Sequence, residues 1–128
     1  MLAVTPIYLG LFALFVVALG GRVVQLRRRE GVGIGHGDSR DLRRAIRAHG
    51  NFAEWVPLIL VGLVVLELQG ASALVLHGLG GTLVLGRILH AFGLSRHHGI
   101  SPGRFIGASL TFAVLSIVGV MLLLNALP

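Results

Sequence analysis

The chain has 128 residues, of which 55% are hydrophobic and 12% charged, whereas soluble domains average roughly 25% charged residues. The 11 basic residues, all arginine, exceed the 5 acidic ones and give a formal net charge of +6. This composition indicates a membrane protein, and the lack of cysteine excludes disulfides, thiolate-ligated metals and a cysteine nucleophile.

Four apolar runs are each long enough to cross a hydrocarbon layer about 30 Å thick, which takes roughly 20 helical residues. With their polar flanks they predict helices at about 3–29, 39–69, 71–95 and 101–126. The expected fold class is all-α: an integral membrane four-helix bundle, antiparallel up-down, forming a single domain over residues 1–128. The first run lacks a preceding basic segment, so we interpret it as a retained span and not a cleaved signal.

The arginines predict the orientation of the bundle. They cluster in the connection between the first two spans and in the connection between the last two, while "LQGAS" and both tails are uncharged. Basic connections favour the cytoplasmic side, so both termini are expected on the non-cytoplasmic side.

The connections also contain helix-start signals. The glycine-rich segment 30–41 predicts a loop, in which Asp38 or Ser39 caps the second helix. Ser101 as the cap and Pro102 as the first helical residue predict the start of the fourth helix, after a break at Gly99.

A polar stripe opens the second helix. At 100° per residue, Arg43, Arg47, Asn51 and Glu54 fall within roughly 80° of one another. Asn51 and Glu54 lie inside the expected hydrocarbon layer, where an unpaired carboxylate costs at least about 2.5–3.5 kcal/mol. Glu54 is therefore expected to have a cationic partner.

The third span offers that partner at nearly the same depth. Arg87 lies about two turns from the end of this helix, so we predict a Glu54–Arg87 ion pair with Asn51 beside it. His90 follows one turn later. Such a pair also has a purely structural interpretation, in which it only fixes the helix register.

Further arginines are expected at the same level. Together they form a cationic ring that suits an anionic, partly apolar guest. The arginines assigned to this ring are Arg27 or Arg28, Arg43, Arg47, Arg87, Arg96 and Arg104. Arg29, Arg40 and Arg44 are interpreted as plain anchors on the basic side of the membrane.

The pattern Arg-x-x-x-Asn-x-x-Glu-x-x-Pro, at Arg47, Asn51, Glu54 and Pro57, resembles the helix-2 signature of the MAPEG family, membrane-associated proteins in eicosanoid and glutathione metabolism. The segment "QLRRRE" closing the first helix and Arg87 late in the third helix are also similar. The resemblance is greatest to the short bacterial members and implies a location in the bacterial inner membrane.

The resemblance implies a homotrimer that binds glutathione, a co-substrate, between subunits near the cytoplasmic face. Arg47, Asn51 and Glu54 would contact glutathione and its supporting network, and Arg87 would pair with the glutamate. Arg27, or Arg28 if the register differs by one residue, would hold a glutathione carboxylate.

The same resemblance implies the catalytic group. Arg104 would stabilise the glutathione thiolate, with Arg96 as the alternative. Because arginine cannot act as the base, the thiol proton is expected to leave to water or to a neighbour such as His90. The family's helix-3 tyrosines are missing from "HAFGLSRHH", which predicts weaker glutathione binding or a different thiol donor.

Two functions are therefore expected as alternatives. The first is a glutathione-dependent transferase or peroxidase acting on lipophilic electrophiles in the lipid bilayer. The second is a non-catalytic protein of the same scaffold that binds an anionic amphiphile or lipid head group. The scattered histidines predict no metal site, and the absence of a base-stacking series predicts no nucleic-acid partner.

Small residues form two stripes that allow close helix packing, within one subunit or between subunits. The stripes consist of Gly103, Gly107 and Thr111 on the fourth helix and of Gly78, Thr82 and Gly86 on the third. Trp55 is expected to anchor the second helix at the membrane interface.

Overall fold

In a computed structural model the chain forms four antiparallel helices, as the sequence predicts. The structure describes residues 2–96 and 101–127, without the side chains of 94–96. The helices are α1 (Thr5–Glu30), α2 (Arg40–Leu68), α3 (Ala73–Arg96) and α4 (Pro102–Ala126). All four are long and apolar enough to cross a membrane, which confirms the predicted class, and their ends lie within two residues of the predicted ones.

The predicted helix starts of α2 and α4 are confirmed. The Ser39 hydroxyl accepts a hydrogen bond from the Leu42 backbone N–H at 3.3 Å, and the Ser101 hydroxyl does the same for the Arg104 N–H at 3.3 Å. Each bond satisfies one of the backbone donors that a helix leaves unpaired at its first turn. Gly99, where a break was expected, lies outside the described residues.

Helices α3 and α4 cross at glycines, where their backbones nearly touch. A methyl group added at Gly107 would lie 2.7 Å from the His90 backbone nitrogen and closer still to the Gly86 carbonyl oxygen. An added methyl at Gly93 would lie 2.7 Å from the Arg104 nitrogen. The glycines therefore set the distance between the two helices, and they do so within one chain.

This crossing accounts for most of the two predicted small-residue stripes. Gly103 approaches the Leu89 carbonyl, and the Thr111 hydroxyl donates to the Gly107 carbonyl at 2.8 Å. Gly78 differs, because an added methyl there would meet no atom within 4 Å.

The apolar core joins all four helices. Phe12 and Phe15 of α1 pack on Phe52 of α2, with ring centroids 5.7 and 5.4 Å apart. Leu83 of α3 and Val114 of α4 are buried on the other side of this cluster. Burial of these side chains fixes which face of each helix points inward.

One end of the bundle, here called the termini end, holds Ala3, Glu67 and the turn between α2 and α3. Helix α1 has no side-chain cap of its own, and the Glu67 carboxylate takes that role. It accepts from the backbone N–H groups of Ala3 and Val4 at 2.7 Å and of Thr5 at 2.8 Å, and also from the Thr5 hydroxyl. The end of α2 is thereby fixed to the start of α1.

A second polar contact joins α1 to α3 at the termini end. The Tyr8 hydroxyl lies 3.0 Å from His77 Nδ1 and 3.2 Å from the His77 carbonyl oxygen. The Tyr8 ring lies flat against Gly80, where an added methyl would be 2.5 Å from the ring. The opposite end, with the α1–α2 and α3–α4 connections, is called the arginine-rich end below.

Candidate functional site

A small cavity lies between α2, α3 and α4 toward the arginine-rich end, with a volume of about 70 Å³. Its walls include three residues that the sequence singled out for a site: Asn51 from α2 and Arg87 and His90 from α3. The other walls include Trp55, Thr111 and Phe112. We call it the Asn51 cavity.

Arg87 is buried at the Asn51 cavity, with 2% of its surface exposed. Its guanidinium carbon lies 5.9 Å from the centre of the Phe52 ring, a distance at which a cation interacts with the aromatic face. Among the described residues, the Arg87 Nε atom has no hydrogen-bond partner. A buried guanidinium without a carboxylate is costly, so this side chain is suited to receiving an anion.

His90 lies one helical turn from Arg87 and is also buried. Its Nδ1 atom is 3.3 Å from the Arg104 carbonyl oxygen. Because a carbonyl can only accept, this contact places the hydrogen on Nδ1 and leaves Nε2 as the acceptor of a neutral ring. Within the described part of the chain, Nε2 has no hydrogen-bond partner.

Arg104 lies in the first turn of α4, next to this histidine. Its side chain is half-buried, and its stem packs over Gly93, where an added methyl would be 3.1 Å from the Arg104 Cγ atom. The α3–α4 glycine crossing therefore brings Arg104 to the same end of the molecule as Arg87 and His90. The Arg96 side chain lies outside the described residues.

Glu54 does not form the ion pair that the sequence predicted. It is exposed, and in the described parts of the chain, residues 2–96 and 101–127, the ion pairs are Arg29–Glu30 and Arg44–Asp41, each at 3.6 Å. The prediction of a Glu54–Arg87 pair within one chain is wrong. The reason is helical phase: Asn51 and Trp55, four residues apart, face α3 and α4, whereas Glu54 is rotated by about 100° from Trp55.

Arg43 and Arg47 share the exposed face of α2 with Glu54. Asn51 is half-buried and belongs to the cavity instead. The polar stripe predicted from the sequence is therefore divided, with one member turned into the bundle and three turned outward.

Arg27 contacts the chain's own loop. Its guanidinium donates to the carbonyl oxygens of Gly33 and Gly35 at 3.0 Å and to that of Val32 at 3.4 Å. These bonds hold the α1–α2 connection against the end of α1. Arg28, the alternative in that position, is exposed.

Sequence reasoning missed the aromatic wall of the cavity. Trp55, which the sequence predicted as an interfacial anchor, packs edge-on against Phe112 of α4, with centroids 4.9 Å apart, and lines the cavity. The signal was present in the spacing, because Trp55 follows Asn51 by four residues and must share its face.

Comparison with known proteins identifies the family of the chain. A model of the MAPEG family matches residues 5–124. The chain belongs to the MAPEG family.

This MAPEG member is also similar to curated bacterial proteins. It is 35% identical over 112 residues to inner membrane protein YecN of Escherichia coli strain K12, covering 88% of this chain and 84% of the relative. The same protein from Escherichia coli strain CFT073 matches with the same identity and coverage.

The geometry gives each polar residue of the helix-2 motif a place. Asn51 lines the cavity that contains Arg87 and His90, while Arg47 and Glu54 lie on the outer surface of α2. A ligand that contacts all of them must extend from the cavity to the outside of the single chain.

Proposed function

We propose that this MAPEG member is a membrane-bound, glutathione-dependent transferase or peroxidase that acts on lipophilic electrophiles. One observation carries the proposal: buried Arg87 and His90 both present unused nitrogen atoms beside a cavity that Asn51 also lines. The name of the relative YecN supports a location in the bacterial inner membrane. The arginine-rich connections support a cytoplasmic position for that end.

Cavity size decides how glutathione would bind. A volume of about 70 Å³ corresponds to roughly two water molecules at about 30 Å³ each, so only one polar end of a tripeptide fits inside. A carboxylate there would meet the Arg87 guanidinium and the Asn51 amide. The remaining part would lie along the exposed face of α2 that carries Arg47 and Glu54.

The exposure of this face supports a homotrimer. Glu54 is exposed on a membrane-spanning helix, where an unpaired carboxylate near the bilayer centre costs about 2.5–3.5 kcal/mol or more. A neighbouring subunit covering α2 would supply the polar partner that Glu54 lacks among the described residues. In this arrangement the glutathione site is completed at the subunit interface.

The chemistry assigns separate tasks to Arg104 and His90. A thiol with a pKa of about 8.5 is mostly protonated at neutral pH, and a guanidinium nearby favours the reactive thiolate. Arginine stays protonated and cannot act as the base. The thiol, outside the cavity, would lose its proton to water, and the thiolate then attacks the electrophile with departure of its leaving group. His90 Nε2 would accept a hydrogen bond from an N–H group of the tripeptide end inside the cavity.

The test combines binding with turnover. Glutathione is titrated calorimetrically into the detergent-purified protein, and activity is measured with chlorodinitrobenzene and with a lipid hydroperoxide. Replacing Arg104 by Ala should lower kcat about a hundredfold, as removal of a group that stabilises a developing anion does, with little change in glutathione affinity. Arg29→Ala, which removes an exposed arginine side chain from the same end, is the control. Equal loss of affinity and kcat would contradict the thiolate role.

One observation favours the alternative, a non-catalytic protein of the same scaffold that binds an anionic amphiphile. No tyrosine follows Arg87 on α3, and the one tyrosine of the chain, Tyr8, contacts His77 at the termini end. If glutathione gives neither heat nor turnover, while dodecyl phosphate binds saturably and Arg87→Met abolishes that binding, the alternative replaces the enzyme.

A further inference from the structure

Helices α1 and α3 run parallel and touch far less than α3 and α4 do, which leaves a seam between them. Part of this seam is an apolar groove of about 390 Å³. Its walls are Leu11, Phe12, Leu14 and Phe15 of α1 and Val84 and Ile88 of α3. We call it the α1–α3 groove. An apolar chain fits this groove without losing any hydrogen bond.

Toward the arginine-rich end the seam continues into a second cavity, of about 180 Å³. We call it the Arg22 pocket. Leu19 lies one turn beyond Phe15, and Ala91 lies three residues beyond Ile88, so the pocket continues the line of the groove. The polar walls of the pocket are Arg22 of α1 with Asp41 and Arg44 of α2.

The Arg22 pocket has an excess of positive charge. Arg44, with 20% of its side chain exposed, contacts Asp41 at 3.6 Å, so one carboxylate faces two guanidinium groups. In the described part of the chain Arg22 makes no hydrogen bond or ion pair, although it lies on a membrane-spanning helix. Arg44, which the sequence indicated as a plain anchor, thus lies in the pocket wall and contacts Asp41.

The depth of the pocket matches the head-group level of a membrane. Arg22 lies 17 residues after Thr5, about 26 Å along the helix, while Arg44 lies 24 residues before Leu68, about 36 Å. The edge of a hydrocarbon layer about 30 Å thick falls between these two arginines. Phospholipid phosphates lie just outside that edge.

We propose that the seam is a binding site for an anionic phospholipid, whose acyl chain occupies the α1–α3 groove and whose phosphate binds Arg22 and Arg44. The groove and the pocket follow one another along α1 and α3, in the order in which a lipid carries its acyl chain and its phosphate. Free phosphate would leave the groove unused, and an apolar helix of a second copy would leave Arg22 without an anion. The site is separate from the Asn51 cavity, which lies between α2, α3 and α4.

The experiment measures lipid binding by native mass spectrometry of the full chain in detergent. Phosphatidylglycerol and phosphatidylcholine with identical acyl chains are titrated separately. We expect phosphatidylglycerol to bind about tenfold more tightly, because charge-assisted bonds from two arginines favour the lipid with net negative charge. Arg22→Gln and Arg44→Gln should each remove this preference. Arg29→Gln removes one positive charge from an exposed position outside the pocket, and this variant should keep the preference for phosphatidylglycerol.

A second pair of variants tests the groove. Ile88→Trp replaces an aliphatic side chain of the groove by a bulky indole ring and should weaken the binding of both lipids several-fold. Leu123→Trp, at an exposed position on α4, should weaken the binding of neither lipid. Three results would overturn the proposal. The first is an equal loss of the phosphatidylglycerol preference in Arg29→Gln, and the second is displacement of phosphatidylglycerol by inorganic phosphate alone. The third is that Ile88→Trp dissociates subunits of the protein from one another and leaves lipid binding unchanged.

Discussion

Glu67 and Glu54 lie on the same helix, Glu67 next to its last residue and Glu54 at its midpoint, and have opposite surroundings. The Glu67 carboxylate accepts hydrogen bonds from three backbone N–H groups and one hydroxyl, supplied by Thr5 at the start of α1 and by the two residues before it. Glu54 is exposed and has no ion pair with any residue that the structure describes. The Glu67 carboxylate is hydrogen-bonded within the chain, whereas the Glu54 carboxylate has no ion pair among the described residues.

The difference extends beyond the two glutamates. At the termini end Tyr8 and His77 also bond to each other. At the arginine-rich end Arg87 Nε and His90 Nε2 are buried without hydrogen-bond partners among the described residues. Since buried polar groups are normally hydrogen-bonded, exceptions of this kind need a partner or a function to explain them. The termini end stabilises the single chain, whereas the groups toward the arginine-rich end that have no such partners among the described residues are the basis of the proposed ligand site and homotrimer.

The largest effect on the arginine-rich end is expected from its glycine crossing. Gly107→Ala would force the new methyl against the backbone of Gly86 and His90, which should cost about 2–3 kcal/mol of stability. Gly119→Ala, on the same helix, meets no atom within 4 Å and should be neutral or stabilise by up to about 1 kcal/mol. Thermal unfolding in detergent, followed by circular dichroism, measures both. Similar melting temperatures for the two variants would contradict the close crossing.

Exchanging the two carboxylates for amides compares their surroundings directly. Glu67→Gln should lower the melting temperature by several degrees at every protein concentration, because the amide accepts the α1 hydrogen bonds less well. Glu54→Gln should leave the melting temperature of the dissociated subunit unchanged but weaken glutathione binding and self-association. Calorimetry and native mass spectrometry provide these measurements. A loss of subunit stability in Glu54→Gln would show that this carboxylate is used within one chain after all.

The fold was predictable because it depends on long-period patterns. Apolar runs of about 20 residues set the four spans, and Ser39 and Ser101 set the starts of α2 and α4. That Asn51, Arg87 and His90 lie close together was also predictable, because the sequence places them at similar distances from the ends of their helices. Depth is easily read from a sequence, since each helical residue advances about 1.5 Å.

Helix rotation was not predictable with the same accuracy. Asn51 and Glu54 lie only about 60° apart, yet this angle separates a cavity wall from the outer surface. The cap that Glu67 provides was also missed, because its partners are 62 to 64 residues away in the chain. No local spacing records such a contact.

Arg87→Met tests whether the buried cation serves binding more than stability. Methionine fills a similar volume without a charge, so the variant should be more stable by about 1–2 kcal/mol, since replacing a buried charge by a packed apolar group is often stabilising. Glutathione binding should fall below detection in the calorimeter. If the melting temperature drops instead, Arg87 has a stabilising partner in the assembled protein, and its structural role outweighs ligand binding.

Tyr8→Phe is expected to have the smallest effect, and it tests whether the two ends are independent. The ring remains against Gly80, so only the hydroxyl contact with His77 is lost, at about 1 kcal/mol. A double-mutant cycle with His77→Ala would isolate this contact from changes in packing. Glutathione affinity should stay unchanged, because the Tyr8–His77 contact and the Asn51 cavity are at opposite ends and share no residue. An affinity change as large as that of Arg87→Met would mean that movement at one end of α3 is transmitted to the other, and the two ends would then form one functional unit.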